Sequence, residues 1–256
     1  MLSIIPIPIS EEIRADHDLS KSILSSIKSC GLTIEEFDIL IVAQKIISKS
    51  ESRLVDMESI VPSDRALELS KVHGKDSRLI QLILNESKKI VRLTNKHIIV
   101  QTKQGFICAN AGIDQSNVSK DPRFVLMLPE NPDRSARKLR EDIFEITKKN
   151  VSVIISDTFG RPFRNGQTNV AIGISGINPI KSYIGTPDQN GRVLKVTEIA
   201  IADEIASAAE LVMGKTLQVP VAIVRGYDYE FVKSDIEKKI EISILIRNEN
   251  DDLFVK

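Results

Sequence analysis

The stretch VSVIISDTFGRPFRNGQTNVAIGIS, residues 151–175, decides how the chain is read. It opens on an apolar run, VSVIIS (151–156), and closes on another, NVAIGIS (169–175). Both runs are short and rich in Val and Ile, which marks buried strands. Between them the chemistry changes. Residues 156–173 hold one carboxylate, two arginines and three glycines, together with Asn, Gln and Thr. Polar and flexible residues gathered at the end of a buried strand are the usual dress of a binding or catalytic loop on a rigid frame.

The same pattern recurs outward from this stretch. DILIVAQ (38–44), HIIVQT (97–102), GFICA (105–109), FVLML (124–128) and VPVAIV (219–224) also read as strands. Residues 102–106 place a Lys-Gln-Gly turn between two of them, which predicts an antiparallel hairpin. Helices fit the gaps. Leu19–Cys30 stops at Gly31, and Arg78–Val91 sets Leu79, Ile80, Leu82, Ile83 and Ile90 on one stripe. Asn131 before Pro132 is an N-cap with proline at the first helical position, opening a helix to about Lys149. Thr197–Met213 is alanine-rich, with small or apolar residues all round, and ends at Gly214. A helix without a polar face is buried on more than one side, which predicts a homodimer, with a deep intrachain core helix as the alternative. The polar loop 184–192, IGTPDQNGR, is a further functional candidate. The expected class is α+β, with mixed or antiparallel sheets packed against helices.

Composition removes several function classes. The chain has 256 residues, enough to bury roughly 70–75% of its unfolded surface in one large or two small units. Lys+Arg and Asp+Glu balance at 35 each, so no electrostatic footprint for nucleic acid or an anionic membrane exists. No apolar run reaches the ~20 residues of a membrane span, and MLSIIPIPISEE lacks the basic start of a signal peptide. Cys30 and Cys108 are read as reduced core thiols in a cytoplasmic protein, and His17, His73 and His97 have no ligand spacing. There is no G-x-x-x-x-G-K-[ST] and no G-x-G-x-x-G, so the fold is neither a P-loop nor a Rossmann unit.

What remains is a set of polar strand ends: ISKSESR (47–53), NAGIDQSN (110–117), SDTFGRPFRNGQ (156–167) and MGKTLQVP (213–220). Asp114, Asp157 and Thr158 are hard oxygen ligands suited to Mg²⁺ or Mn²⁺. Arg161, Arg164 and Lys49 can neutralise phosphate or carboxylate. These residues alone point weakly to metal-assisted phosphate chemistry, and ordinary turn chemistry explains Asp-Thr and Gly-Arg-Pro as well.

Seven stretches, in order, carry a resemblance: AQKIISKSESR, RLIQLILNES, GFICANAGIDQSNV, LPENPDRSARKLR, SDTFGRPFRNGQTNVAIGISGI, IGTPDQNGRVLKVTEIAIADEIASAAELVMGK and VPVAIVRG. Together they resemble the coenzyme F420-0:L-glutamate ligase (F420-0:γ-glutamyl ligase) family, over most of the chain but not its last thirty residues. The resemblance implies that family's fold, in one catalytic unit or two intertwined subdomains. No flavin-binding domain is expected at the C-terminus, as in the stand-alone archaeal type. It also implies GTP-dependent addition of L-glutamate to F420-0, first by an amide and then by a γ-linkage, through an acyl phosphate. Mg²⁺ or Mn²⁺, K⁺ and a homodimer come with it.

Residue by residue, the resemblance makes Asp114, Asp157 and Thr158 metal ligands. Gln44, Lys49 and Asn117 become nucleotide contacts, as do Ile7, Pro8, Ile9 and Ser10. Met213, Gly214, Lys215, Thr216, Leu217, Gln218, Val219 and Pro220 become a loop around the nucleotide phosphates. In some relatives an acidic residue stands where this chain has Lys215, so the lysine is expected to take over part of a second cation's electrostatic task. Gly160, Pro162 and Gly166 would shape a tight turn beside the ligand. Arg161 and Arg164 are assigned to phosphate or substrate carboxylate by their chemistry, not by a matched role. The alternatives are ligation of glutamate to another carboxylate, a non-catalytic nucleotide-binding regulator, and a metal-dependent phosphohydrolase.

Overall fold

The computed structural model describes residues 1–94, 97–116, 118–119, 121–233 and 240–251. The described residues form twelve strands and six α-helices. They are β1 (Ser3–Ile7), α1 (Leu19–Ser29), β2 (Ile39–Ala43), α2 (Gln44–Ser50), β3 (Leu54–Asp56), α3 (Asp64–His73), α4 (Ser77–Asn85), β4 (Ser87–Leu93), β5 (Ile98–Thr102) and β6 (Ile107–Ala109). There follow β7 (Phe124–Leu126), α5 (Pro132–Thr147), β8 (Ser152–Arg161), β9 (Arg164–Ser175), β10 (Lys181–Ser182), β11 (Glu198–Ile199), α6 (Ile201–Met213) and β12 (Val221–Arg225). The class is α+β, as expected, and neither a P-loop nor a Rossmann arrangement.

The main sheet has the order β1-β12-β2-β8-β9. Only β2 and β8 run parallel; every other neighbour is antiparallel. The central strands carry unbroken apolar runs because both faces are covered: Ile39, Leu40, Ile41, Val42, Val153, Ile154 and Ile155 are fully buried. Smaller sheets are β4-β5-β6, β3-β7 and β10-β11. Two hydrophobic clusters result. The larger surrounds the main sheet with α1, α5 and α6, and the smaller joins Met57, Ala66, Ile80, Ile83, Ile98, Val100 and Val125.

Strand β9 is an edge, and an edge presents unpaired backbone groups. Helices cover it with side-chain oxygens. Asp133 Oδ1, in the first turn of α5, accepts from Ile174 N at 2.9 Å. Asp203 Oδ1 on α6 accepts from Ala171 N at 2.9 Å, and Ser207 Oγ donates to Asn169 O at 2.7 Å. Gly173 permits the closest of these approaches, since a Cβ there would sit 2.5 Å from the Pro132 carbonyl carbon.

Helix boundaries follow their caps. Asp18, Ser63, Asp76 and Asn131 each accept a backbone N–H from the first turn of the following helix. The expected Arg78–Val91 helix is two elements. It stops at Asn85, and Ile90 belongs to β4, where the ladder to β5 overrides the helical stripe. The expected Thr197–Met213 helix begins only at Ile201, because Glu198 and Ile199 pair with β10. Nor is that helix polar-free. Ile201, Ala202, Ile205, Ala206, Ala209 and Met213 are buried against the sheet, while Asp203, Glu204, Ser207 and Glu210 face away from the deepest core. Its burial is accounted for within the chain.

The opening stretch holds a larger difference. Strands β8 and β9 do not end where the apolar runs end. They continue as one antiparallel ladder through the polar residues, with Asp157 opposite Val170 and Thr158 opposite Asn169. The turn lies farther out, at Pro162–Phe163, where Phe163 takes φ 58°. Gly160 and Gly166 are thus strand residues, not the corners of a tight turn around a ligand. Among the described residues, no helix is long and apolar enough to cross a membrane.

Candidate active site

A cleft of about 1000 Å³ opens where the two hydrophobic clusters meet. One wall is the polar half of the hairpin, Ser156–Gly160 with Gln167 and Asn169. A second wall is α2, which follows β2 without a loop and turns Lys45 and Lys49 onto one face, four residues apart. The third is the segment after β6, with Asn110, Gly112, Ile113, Asp114 and Ser116. Residues 9–13 and most of 213–220 complete it. Ile9 N donates to Gln218 O at 3.3 Å, and Ala43 N to Pro220 O at 2.8 Å, which ties these segments together.

Asp114 is fixed by its backbone. Its N–H and C=O both bond Leu126 at 2.9 Å, extending the small sheet by one bridge. Its carboxylate takes Lys45 Nζ at 2.9 Å on Oδ2, and Ser116 N and Oγ at 2.7 and 2.8 Å on Oδ1. Burial pushes the Asp114 acid up, but the Lys45 ammonium and the Ser116 donors outweigh it and hold it below the ordinary carboxylate range. Asp157 is the opposite case. Burial raises it to about 6, with the Asp114 charge pushing the same way, against the Thr158 backbone N–H and the more distant Lys215 and Lys45. Beside it, Cys108 is pushed up to about 12 by burial and by Asp157, so it is an inert thiol in the wall. Lys49 is lowered, first by burial and then by Lys45, while Glu12 and Asp114 partly offset this.

Across the ladder a second network forms. Thr158 Oγ1 donates to Asn169 Oδ1 at 2.7 Å, and Asn169 Nδ2 donates to Glu210 Oε2 at 2.8 Å. Lys215 Nζ reaches Thr158 Oγ1, and lies 3.5 Å from both Asn169 Oδ1 and Glu210 Oε1. An ammonium therefore rests among three oxygens at one end of the cleft.

Most of the expected site residues meet here. Asp114, Asp157, Thr158, Gln44, Lys49, Ile9, Ser10, Met213, Gly214, Lys215, Thr216, Gln218, Val219 and Pro220 all line the cleft. Within that set Gln44 is buried and its Oε1 is already taken by Ser48 Oγ at 2.8 Å. Ile7 and Pro8 do not line it, since Ile7 is core in β1; Leu217 points outward at 62% exposure. Arg161 and Arg164 stand at the exposed hairpin tip, outside the cleft, where Arg161 donates to Asn165 O at 3.0 Å. Loop 184–192 is also outside it. Asn117 lies outside the described residues.

Sequence reasoning missed Lys45, Asn110, Ser156, Asn169 and Glu210. Lys45 was legible only if residues 44–50 were read as helix, and Asn169 only if the ladder was extended past Ser156. Among the described residues, no group of three or more His, Cys, Asp or Glu could hold a metal ion. Asp114, Asp157 and Thr158 are nevertheless hard oxygen donors on one cleft, the set that leaves open positions for phosphate oxygens and water. Their donor chemistry suits a hard divalent cation, while Lys45 and Ser116 already engage the Asp114 carboxylate, and Lys215 and Asn169 the Thr158 hydroxyl.

Comparison with known proteins decides the family. The family model for F420-0:Gamma-glutamyl ligase matches residues 9–226. The chain belongs to the F420-0:gamma-glutamyl ligase family. A relative from Methanocaldococcus jannaschii, named Coenzyme F420:L-glutamate ligase, is 48% identical over 199 residues, covering 77% of this chain and 79% of the relative. One of the same name from Methanopyrus kandleri is 41% identical over 254 residues, covering 99% of this chain and 97% of the relative. A third, from Methanothermobacter thermautotrophicus, is 42% identical over 224 residues, with 87% and 88% covered. The matched span of this ligase family contains every described residue of the cleft.

Proposed function

We propose that the chain joins L-glutamate to coenzyme F420-0 in a GTP-dependent reaction, and then adds a second glutamate by a γ-linkage. The observation that carries this reading is the cleft, where two carboxylates and a threonine hydroxyl stand beside Lys45, Lys49 and Lys215 in a member of this family. A carboxylate is a poor electrophile. The proposed route has an acceptor carboxylate oxygen attack the γ-phosphorus of GTP, releasing GDP and leaving an acyl phosphate. The glutamate amine then attacks the acyl carbon, inorganic phosphate leaves, and the amine gives up a proton. Such chemistry is mostly positioning and charge neutralisation.

The chain's own groups divide that work. Lys49 and Lys215, which line the cleft, would meet phosphate oxygens as point charges. Lys45 holds Asp114 ionised and oriented. Asp114, Asp157 and Thr158 would hold Mg²⁺ or Mn²⁺, which when bound neutralises phosphate charge. K⁺ belongs to the same proposal as an accessory ion. We also propose a homodimer, supported by large apolar side chains at the surface, Val196 and Leu211 each at 85% exposure; a monomer by light scattering at micromolar concentration overturns it.

Mass spectrometry tests the function. The protein is incubated with F420-0, L-glutamate, GTP and Mn²⁺, and products one and two glutamates heavier are expected, with GDP and phosphate. F420-0 recovered unchanged, with glutamate transferred to another carboxylic acid, would favour a different acceptor. GTP hydrolysis without any transfer would favour a phosphohydrolase.

A further inference from the structure

Two polar atoms on the cleft walls are buried and have no partner among the described residues, Asn110 Oδ1 and Ser156 Oγ. Ser156 is 2% exposed. Buried acceptors and hydroxyls are almost always bonded, so an orphan in a cleft marks a place where a ligand completes the bond.

The backbone around Asn110 supports the same reading. Asn110, Ala111 and Gly112 take φ 53°, 56° and 69°, three left-handed residues in succession. Asn and Gly tolerate that region, whereas alanine is strained there. The strain persists because both sides are fixed. Strand β6 is laddered to β5, Asp114 is bridged to Leu126, and a Cβ on Gly112 would come 2.7 Å from Leu128 Cδ1. The turn holds the Asn110 backbone in the cleft wall.

An amide oxygen only accepts hydrogen bonds. Phosphate and carboxylate oxygens have no hydrogen to give it, so its partner carries N–H or O–H. Phosphate and carboxylate groups in this cleft have Lys45, Lys49 and Lys215 to meet them, whereas the attacking amine is the N–H-bearing group of the reaction itself. We propose that Asn110 Oδ1 accepts a hydrogen bond from the α-amino group of the incoming amino acid and aims its lone pair. This rests on the reading that the chain ligates glutamate.

The test uses the full chain and two variants. Asn110→Gly removes the side chain and suits φ 53°, so it tests the oxygen without adding strain. Asn110→Asp keeps an acceptor and tolerates the left-handed region. Steady-state kinetics are run against L-glutamate, GTP and F420-0 separately, with thermal melts of each protein. The expected result is a KM for L-glutamate raised about tenfold or more in Asn110→Gly. In that variant the KM for GTP stays within about twofold and the melting temperature is unchanged, and in Asn110→Asp the glutamate KM recovers to within about threefold. A rise confined to the GTP KM would assign the donor to the nucleoside and overturn the proposal. So would equal changes in all three substrates, or a lowered melting temperature with unchanged KM values. Wild-type protein that transfers no glutamate would remove the functional reading, and this proposal with it. Wild-type turnover with an unaffected Asn110→Gly removes this proposal alone.

Discussion

The two halves of the β8–β9 hairpin share one hydrogen-bond ladder and little else. In the inner half, Val153, Ile154 and Ile155 face Gly173, Ile174 and Ser175 in a dry core. In the outer half, Asp157, Thr158 and Gly160 face Val170, Asn169 and Gln167 on a cleft wall. The ladder is made by the backbone, and after a register shift between Ile155 and Ser156 it runs on to Gly160 while the side chains turn polar. The inner half supplies the anchoring energy, and the outer half inherits a fixed geometry that a flexible loop would lack. Chemistry and stability should therefore separate along this hairpin, residue by residue.

The sharpest separation is expected at Asp157. Asp157→Asn keeps the shape but loses the charge a divalent cation needs. Ligation at saturating Mn²⁺ should fall on the order of 10³-fold, with an unchanged melt. If Asp157 serves only its own backbone, asparagine will do as well and turnover will survive. Ile154→Ala, three residues inward and fully buried, is the mirror experiment. Denaturant unfolding should show a loss of about 2–5 kcal/mol, while turnover per folded molecule stays near wild type. A change in the glutamate or GTP KM there would mean that the halves are not separable.

The pH dependence of stability probes the inner half from outside. Asp133 caps the β9 edge at Ile174 and also accepts from Ile242 N, and burial raises it from 3.8 to about 6. The folded state therefore binds the proton more tightly than the unfolded state. Stability from this group is fully present below about pH 4 and is lost as pH rises through about 6, on the order of 3 kcal/mol. Asp133→Asn should flatten that slope in pH-resolved denaturation curves. A parallel slope in the variant would place the titration elsewhere.

The inner half was legible in the sequence because period, β-branching and burial agree there. Asn131 and Pro132 announced α5 for the same reason: a cap and a fixed φ are local facts. The outer half was not. SDTFGRPFRNGQ carries turn residues, and nothing local says that the ladder runs through them to Pro162. The missed cleft residues follow from that: Asn169 is placed by cross-strand register, and Glu210 by the packing of α6 on β9. Arg161 and Arg164 drew attention as cations, but charge says nothing of distance from the cleft. Ile90 shows the converse, a stripe that fits a helix until pairing with β5 claims it.

Lys215 bears on the outer half more gently than Asp157. Its ammonium rests among Thr158, Asn169 and Glu210. Should it neutralise phosphate, Lys215→Ala raises the KM for GTP or lowers kcat by about 1.5–3 kcal/mol, the worth of a hydrogen bond to a charged group. Steady-state kinetics unchanged within about twofold would leave the lysine as a local counter-ion to Glu210.

The smallest effect is expected at the seam between the halves. Ser207 lies one turn before Glu210 on α6, on the same face. Its Oγ donates to Asn169 O at 2.7 Å and sits 2.8 Å from Thr168 Oγ1, which covers the β9 edge where the polar residues begin. Ser207→Ala removes that cover. It leaves the Thr158–Asn169–Glu210 side-chain chain and the ladder to β8 in place. One lost hydrogen bond costs about 0.5–1.5 kcal/mol. For a chain of this size that is a fall of a few degrees in melting temperature, with turnover changed less than about threefold. If turnover collapses while the melt barely moves, α6 rather than the ladder holds the outer half in register. The rigidity of the cleft wall would then come from the helix that covers the edge, and Glu210 would act as its anchor.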